Sequence, residues 1–348
     1  MGNEARYVEL AHGAGGLKMD QLLEFIGHRI TLKVTSKGPG NIGVEALDDG
    51  AVVSRREFQD GDIVISTDAH TVSPVFFPGG DIGKLSMCGT LNDVLMMGAI
   101  PIAMTSALVL EEGFEFSALD IVLRSMDEIS KANSVPIIAG DTKVVPRGII
   151  DQIMFVTTGL GKRCTKHPVL DANTRPGDAI ILTGPIGSHG VALMSFREGI
   201  EFEADLESDV SSLVPLLAPL FTKYTIHTMK DPTRGGLASA LNEIAHKSQV
   251  AINILQPRIP IDPAVRSAAE LLGLDPLEIT SEGRAIIVVP PSDAAGMLAS
   301  LRKHELGRYA SIIGTAEEGP PGKVFLETEI GGRRRLQKPV GELIPRVC

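Results

Sequence analysis

Acidic residues recur at one kind of place in this chain. Asp48 and Asp49 precede the strand-like run AVV, Asp68 closes IVIST, Asp93 follows Asn92 within GTLNDVLMMGA, and Asp141 closes PIIAG. Carboxylates at strand ends beside glycines face a crevice rather than a core. A set of oxygen donors alone suits Mg²⁺, which keeps several waters and takes phosphate as a further ligand. The set therefore reads as a metal–nucleotide site, with Asp49, Asp68, Asp93 and Asp141 as candidate ligands. Any one of them taken singly is more simply a turn or capping residue; their recurrence carries the reading. Asn92 and Asp93 sit among Leu91, Val94, Leu95 and Met96 in a helical stretch, so polar groups buried there would need partners.

Glycine-rich loops supply a second kind of chemistry. In FFPGGDIGKLSMCGTLNDVLMMGA, Gly79, Gly80 and Gly83 stand ahead of Lys84, a pattern that suits a phosphate at the N–H groups of the following helix, with Lys84 as a point charge. A Walker A loop needs four residues between its glycines and Ser or Thr after its Lys. Here Gly79 and Gly83 enclose three and Leu85 follows Lys84, which excludes a P-loop NTPase. HGAGG (His12–Gly16), KDPTRGGL with Gly235 and Gly236, and LTGPIGSHG are further glycine loops, each readable as an anion cradle or as a plain turn between strand and helix.

The third feature is Cys348, a thiol at the end of a stretch with little apolar periodicity. With no packed neighbourhood of its own, it reads as an accident, an anchor or a reagent. Cys88, Cys164 and Cys348 are an odd number without CxxC spacing, which disfavours a disulfide framework and a structural zinc site.

The elements that must position these residues alternate between two kinds. DIVISTD, PIAMTSALVL, SVPIIAGD and QIMFVTTGL read as strands, and SALDIVLRSMDEISKA as a helix after an S-x-x-D start. A polar, turn-rich segment near 162–177 precedes a second alternation: strands AIILTG, RAIIVVP, RYASIIGTA and KVFLE, with helices GVALMSFREG and GGLASALNEIAHK. The expected fold class is α/β, in α+β layers, with an N-terminal domain over 1–165, a C-terminal domain over 175–330 and a tail over 331–348. The Arg333–Arg335 run is weighed evenly between a solvated end and a functional one.

Composition narrows the partners. The chain has 348 residues, a formal net charge of -10 and 43% hydrophobic content, so nucleic-acid and anionic-membrane surfaces are not expected. The N-terminus carries no basic segment followed by an apolar stretch, and no run is long enough to span a bilayer, so the expected location is cytoplasmic.

Taken together, HGAGG, DDGAVV, STD, the long glycine–NDV block, GDTKV, DPTRGG, SEGR and the terminal PRVC resemble the HypE family of hydrogenase maturation factors, across essentially the full length. That family is similar to aminoimidazole ribonucleotide (AIR) synthetase, thiamine monophosphate kinase and selenophosphate synthetase. The resemblance implies a two-domain AIR-synthetase-like fold, a homodimer formed through the N-terminal sheet, and ATP with Mg²⁺ in a cleft near the dimer interface. By motif, it assigns Gly79, Gly80, Asp81, Lys84, Asn92, Asp93, Asp141, Gly235 and Gly236 to nucleotide binding.

The resemblance also implies a role for the tail. In the family, HypF transfers a carbamoyl group to the terminal cysteine, HypE dehydrates it with ATP to a thiocyanate, and the HypC–HypD complex carries the cyanide to the iron of [NiFe]-hydrogenase. Cys348 would be the carrier. Lys143 of GDTKV and Glu282 of SEGR match the family's positions near the thiocarboxamide, their roles open between base and orienting group. Selenophosphate synthetases carry a reactive Cys or selenocysteine in the N-terminal glycine loop, whereas no cysteine lies between Glu4 and Lys18 here. Two other readings stand beside this one: a non-catalytic adaptor that docks through the tail thiol, and a small-molecule kinase of the same superfamily.

Overall fold

The computed structural model describes residues 62–200 and 206–339, residues 17, 20 and 21, and the backbone of Ala51–Val53. Asp49, His12–Gly16 and Cys348 lie outside the described residues.

The N-terminal part contains β1 (Ala51–Val53), β2 (Ile63–His70), β3 (Phe76–Phe77), β4 (Gly80–Asp81), α1 (Ile82–Met96), β5 (Ala99–Glu111), α2 (Phe116–Asn133), β6 (Ile137–Val145) and β7 (Ile153–Arg163). Its five-stranded sheet runs β1-β2-β7-β5-β6, with β5 and β6 parallel and its other pairings antiparallel. Alternation along β2 separates its faces: Val64, Ser66 and His70 are buried on one, while Ile65, Thr67 and Ala69 are exposed on the other. Helix α1 packs on the buried face. It is apolar nearly all round, as befits a helix enclosed by a sheet, by α2 and by the second domain. Helix α2 begins at Phe116 without a side-chain cap, so the S-x-x-D sequence is not a capping box.

The C-terminal part contains β8 (Ala179–Leu182), α3 (Ser188–Arg197), α4 (Val214–Leu217), β9 (Thr228–Lys230), α5 (Gly236–Ser248), β10 (Ala251–Leu255), α6 (Pro263–Leu272), β11 (Ile286–Val289), α7 (Pro291–Leu301), β12 (Ser311–Glu317), β13 (Lys323–Glu327) and β14 (Arg333–Leu336). The seven-stranded sheet is ordered β14-β13-β10-β12-β8-β11-β9. Ile180 and Leu182 of β8 pack with Leu237, Leu241 and Ile244 of α5 on one face, and Ile181 packs with Met297 and Leu301 of α7 on the other. Leu95 and Met96 at the end of α1 belong to the same cluster as Leu213 and Leu216, so the two domains share apolar core.

The stretch expected to be tail from residue 331 begins as structure. β14 pairs antiparallel with β13, Leu336 is buried against the core, and the Arg333 guanidinium lies 4.2 Å from the Phe325 ring centroid. Lys338 donates to Asp20 and lies 3.1 Å from Glu243 of α5. The arginines of this run project from an edge strand, with Arg333 near Glu317 and Arg334 near Asp275.

Candidate active site at the domain junction

The loop and helix expected to cradle phosphate are used differently. Asp81 caps α1, accepting from the N–H groups of Gly83 at 2.7 Å and Lys84 at 3.0 Å, and it also accepts from the Ser125 hydroxyl. The first-turn donors that a phosphate would take are therefore occupied by the protein's own carboxylate. Lys84 Nζ donates to the Gly79 carbonyl at 2.8 Å. Gly79, at φ +90°, lies so close to Ser208 that a Cβ would sit 2.9 Å from its backbone, and Ser208 N–H donates to Pro78. The glycine loop joins domains. Gly236 makes a similar close crossing in the second domain, where a Cβ would meet the backbone of Leu277–Ile279 at 2.7 Å.

Two of the candidate metal ligands lie at the same β2–α1 contact. Asp68 Oδ2 accepts from Thr90 of α1 at 2.7 Å, and Asp93 Oδ2 accepts from Ser66 of β2 at 2.9 Å. The spacing explains it: Ser66 and Asp68 are two apart on a strand, Thr90 and Asp93 three apart on a helix, so each pair lies on one face. Thr157 on the neighbouring strand bonds Thr90 at 2.7 Å and steadies the arrangement.

Asp141 does not join them. Asp68 pairs with Thr157, Thr157 with Ser106 and Ser106 with Gly140, so Gly140 shares Asp68's face and Asp141 turns to the other, about 14 Å across three strand spacings. Among the described residues, no three His, Cys, Asp or Glu side chains come close enough to share an ion. Lys143, two residues beyond Asp141, is on the same open face. Within one protomer, Lys143 and Glu282 lie on opposite sides of the sheet.

Glu282 lies at the domain junction, 6% exposed, on the helix-covered side. Its peptide is held from both ends: the N–H donates to Asp209 Oδ1 at 3.1 Å, and the C=O accepts from Asn92 Nδ2 at 3.3 Å. Asn92 also donates to Ser211 O at 3.0 Å and accepts from Leu213 N–H at 2.8 Å. That is the partner set its buried position requires: the amide expected to bind nucleotide is engaged by the second domain. Burial pushes the Glu282 carboxyl well above the usual carboxylate range; Asp231 and Asp209 push the same way, against Arg234.

Sequence reading missed His70, Asp209 and His189. His70 lies two residues beyond Asp68 on the same strand face, a signal that was present; its Nε2 is buried without a hydrogen-bond partner, and burial lowers its pKa. His189 bonds Ser208 Oγ through Nδ1 at 2.6 Å, meets Phe77 edge-on at 5.4 Å, and is held by burial down to about 3. Cys88 is fully buried in the apolar cluster, its thiol pushed up by that burial to about 12, as a small core residue should be.

Family comparison agrees with this architecture. The AIR synthase related protein N-terminal domain matches residues 47–162, and the C-terminal domain of the same family matches 175–327. Carbamoyl dehydratase HypE of Rhizobium leguminosarum is 41% identical over 343 residues, covering 98% of this chain and 95% of its own. The chain belongs to the HypE family. A putative hydrogenase expression/formation protein of Methanocaldococcus jannaschii is 45% identical over 338 residues, covering 97% of this chain and 98% of its own. Among solved structures, a HypE–HypF complex superposes with a TM-score of 0.83 at 38% identity, covering 91% of this chain and 99% of that one. HypE in complex with ATP gives 0.81 at 38% identity, covering 98% and 100%. The HypE-type fold thus accounts for the two layered domains and for the polar junction between them.

Proposed function

We propose that this protein is an ATP-dependent carbamoyl dehydratase that acts on a carbamoyl group carried by its own Cys348, converting the S-carboxamide to a thiocyanate. The observation that carries the reading is Glu282: a carboxyl buried at the domain junction, clamped by main chain and held in a cluster that raises its proton affinity. Around it, the relatives named carbamoyl dehydratase and the ATP-bound HypE structure supply the reaction class.

Dehydration needs a leaving group and a proton acceptor. Hydroxide leaves poorly, so the γ-phosphoryl of ATP is transferred to the amide oxygen while nitrogen gives up one proton, forming an O-phosphorylated thioimidate. Loss of the second nitrogen proton with departure of phosphate leaves S–C≡N, ADP and phosphate. Glu282 is the described group suited to take a nitrogen proton, because its raised proton affinity brings it toward the working pH. Asp68 and Asp93, both oriented by hydroxyls, offer an oxygen-only pair that fits Mg²⁺, and such an ion would neutralise charge on the transferring phosphates.

Asp141 and Lys143 remain on the open sheet face. That face exposes Ile65 beside Thr67 and Ala69 of β2, a surface consistent with a homodimer formed through it. The solved HypE–HypF complex supports a HypF-type carbamoyltransferase as the donor; transfer of cyanide through HypC–HypD to the hydrogenase iron, in the cytoplasm, completes the reading. No helix among the described residues is long and apolar enough to cross a membrane.

Intact-protein mass spectrometry after incubation with HypF, carbamoyl phosphate and ATP, followed by peptide mapping, tests the proposal. A carbamoyl adduct on Cys348 that loses one water only when ATP is present supports it. An active HypF that leaves Cys348 unmodified would sink it.

A further inference from the structure

We propose that Asp209 is a positioning residue for Glu282: its carboxylate and the Asn92 amide grip the two ends of the Glu282 peptide and hold that side chain at the junction between domains. The inference rests on the reading of Glu282 as the proton acceptor.

Asp209 has no packing reason to be charged. Its side chain is 2% exposed, and removing a carboxylate from water costs several kcal/mol unless partners offset it. Those partners belong to the elements that must be held together. Oδ1 accepts from Glu282 N–H at 3.1 Å, the main-chain N–H of His189 at the start of α3 also donates to the carboxylate, and Arg284 Nε stands 3.6 Å from Oδ2. Oδ2 makes no hydrogen bond. The carboxylate is thus spent on the backbone that carries Glu282.

The backbone of Asp209 is fixed in turn. Ser208 N–H donates to Pro78 of the first domain, and Val210 N–H donates to Ser208 Oγ at 3.0 Å. Contact with the Glu282 loop is close enough to require Gly283: a Cβ there would lie 2.0 Å from Asp209 O and 2.2 Å from Ser211 Oγ. Asn92 completes the grip from the first domain, holding Ser211 and Glu282 with one amide. A displacement of about 1 Å at a reacting group can cost on the order of a hundredfold in rate. Fixing a peptide at both ends prevents it.

The test uses the full chain, carbamoylated by HypF, and reads the single-turnover rate of water loss after an ATP chase. Asp209→Ala should slow that step by roughly tenfold or more, with the ATP concentration for half-maximal rate unchanged. Asp209→Asn keeps an oxygen for the Glu282 N–H and should recover to within about threefold. Asp209→Glu keeps the charge but moves the acceptor, and should be as slow as Asp209→Ala. In a Glu282→Gln background, Asp209→Ala should bring no further loss.

An Asp209→Ala protein within about twofold of the parent overturns the proposal, as does a slowing that multiplies on top of Glu282→Gln. A fast Asp209→Glu with a slow Asp209→Asn assigns the effect to charge and overturns it equally. That pair decides the question if the alanine variant does not fold. Full activity in Glu282→Gln alone would instead remove the proton-acceptor reading, and this inference with it.

Discussion

Asn92 and Glu282 stand 190 positions apart in sequence and in different domains, yet Asn92 Nδ2 donates to the Glu282 carbonyl at 3.3 Å. A single buried amide thereby ties the helix that carries Asp93 to the loop that carries the proposed proton acceptor. Asp93 and Asn92 are neighbours on that helix, so the residue that bonds Ser66 and the one that bonds the Glu282 loop are held by the same turn.

Replacing Asn92 by Ala should cost about 2–4 kcal/mol of stability, because the Ser211 and Glu282 carbonyls and the Leu213 N–H all lose their partner in a buried place. Chemical denaturation of the purified protein measures it. A loss below about 0.5 kcal/mol would mean that water or a shifted backbone replaces the amide.

Glu282 should leave its mark on the pH profile. With its carboxyl pushed well above the ordinary range, the rate of water loss should rise with pH through a limb above that range as the base ionises. Glu282→Gln should remove the limb and lower the rate by roughly 10²–10⁴-fold. A variant that keeps both rate and limb would assign the proton transfer elsewhere.

His189 predicts an acid sensitivity of the fold. Its folded pKa of about 3 lies below the ordinary imidazole value of about 6.5, so between those values the unfolded chain binds the proton and the folded one does not. Stability from this residue is present above that window and falls as pH falls, by up to about 1.4 kcal/mol per pH unit. Raised carboxylates such as Glu282 and Asp209 contribute with the opposite slope, so the comparison to make is His189→Gln against the parent. The variant should gain on the parent in urea melts run from pH 7 down to pH 4. A constant difference would place the His189 titration outside that range.

Leu336→Ala should cost about 2–4 kcal/mol, since Leu336 is 2% exposed and packs with the C-terminal core. Thermal unfolding reads it. An effect inside experimental error would mean that β14 contributes nothing to the domain.

The sequence was most readable where local pattern and tertiary need coincide. β5 and β7 announce themselves by branched residues, and α1 by apolar side chains surrounding an Asn that had to have a partner. Which groups partner Asn92 was not readable, because Ser211, Leu213 and Glu282 are 119 to 190 positions away and meet it only through domain packing. The GGDIGK run carried two compatible signals, a phosphate cradle and an aspartate helix cap; the cap holds because Asp81 reaches the first N–H groups within its own turn. Asp68 and Asp93 were singled out by the recurrence of acidic residues, although Asp68 lies inside β2 and Asp93 inside α1; Asp141 was grouped with them without knowledge of strand order. Arg333–Arg335 was not readable as a strand because a run of charged residues has no apolar alternation; its pairing depends on β13 alongside.

The pairing of β14 has a kinetic consequence for the proposed reaction. With the chain tied down through Leu336 and Lys338, nine peptide units separate Pro339 from Cys348, a contour of about 30 Å at most. A thiol confined to a sphere of that radius is present at a molarity on the order of 10 mM, whatever the protein's own concentration. Turnover of the carbamoyl group should therefore be first order and indifferent to dilution, and a detached peptide bearing the same group would have to approach that molarity before it competed.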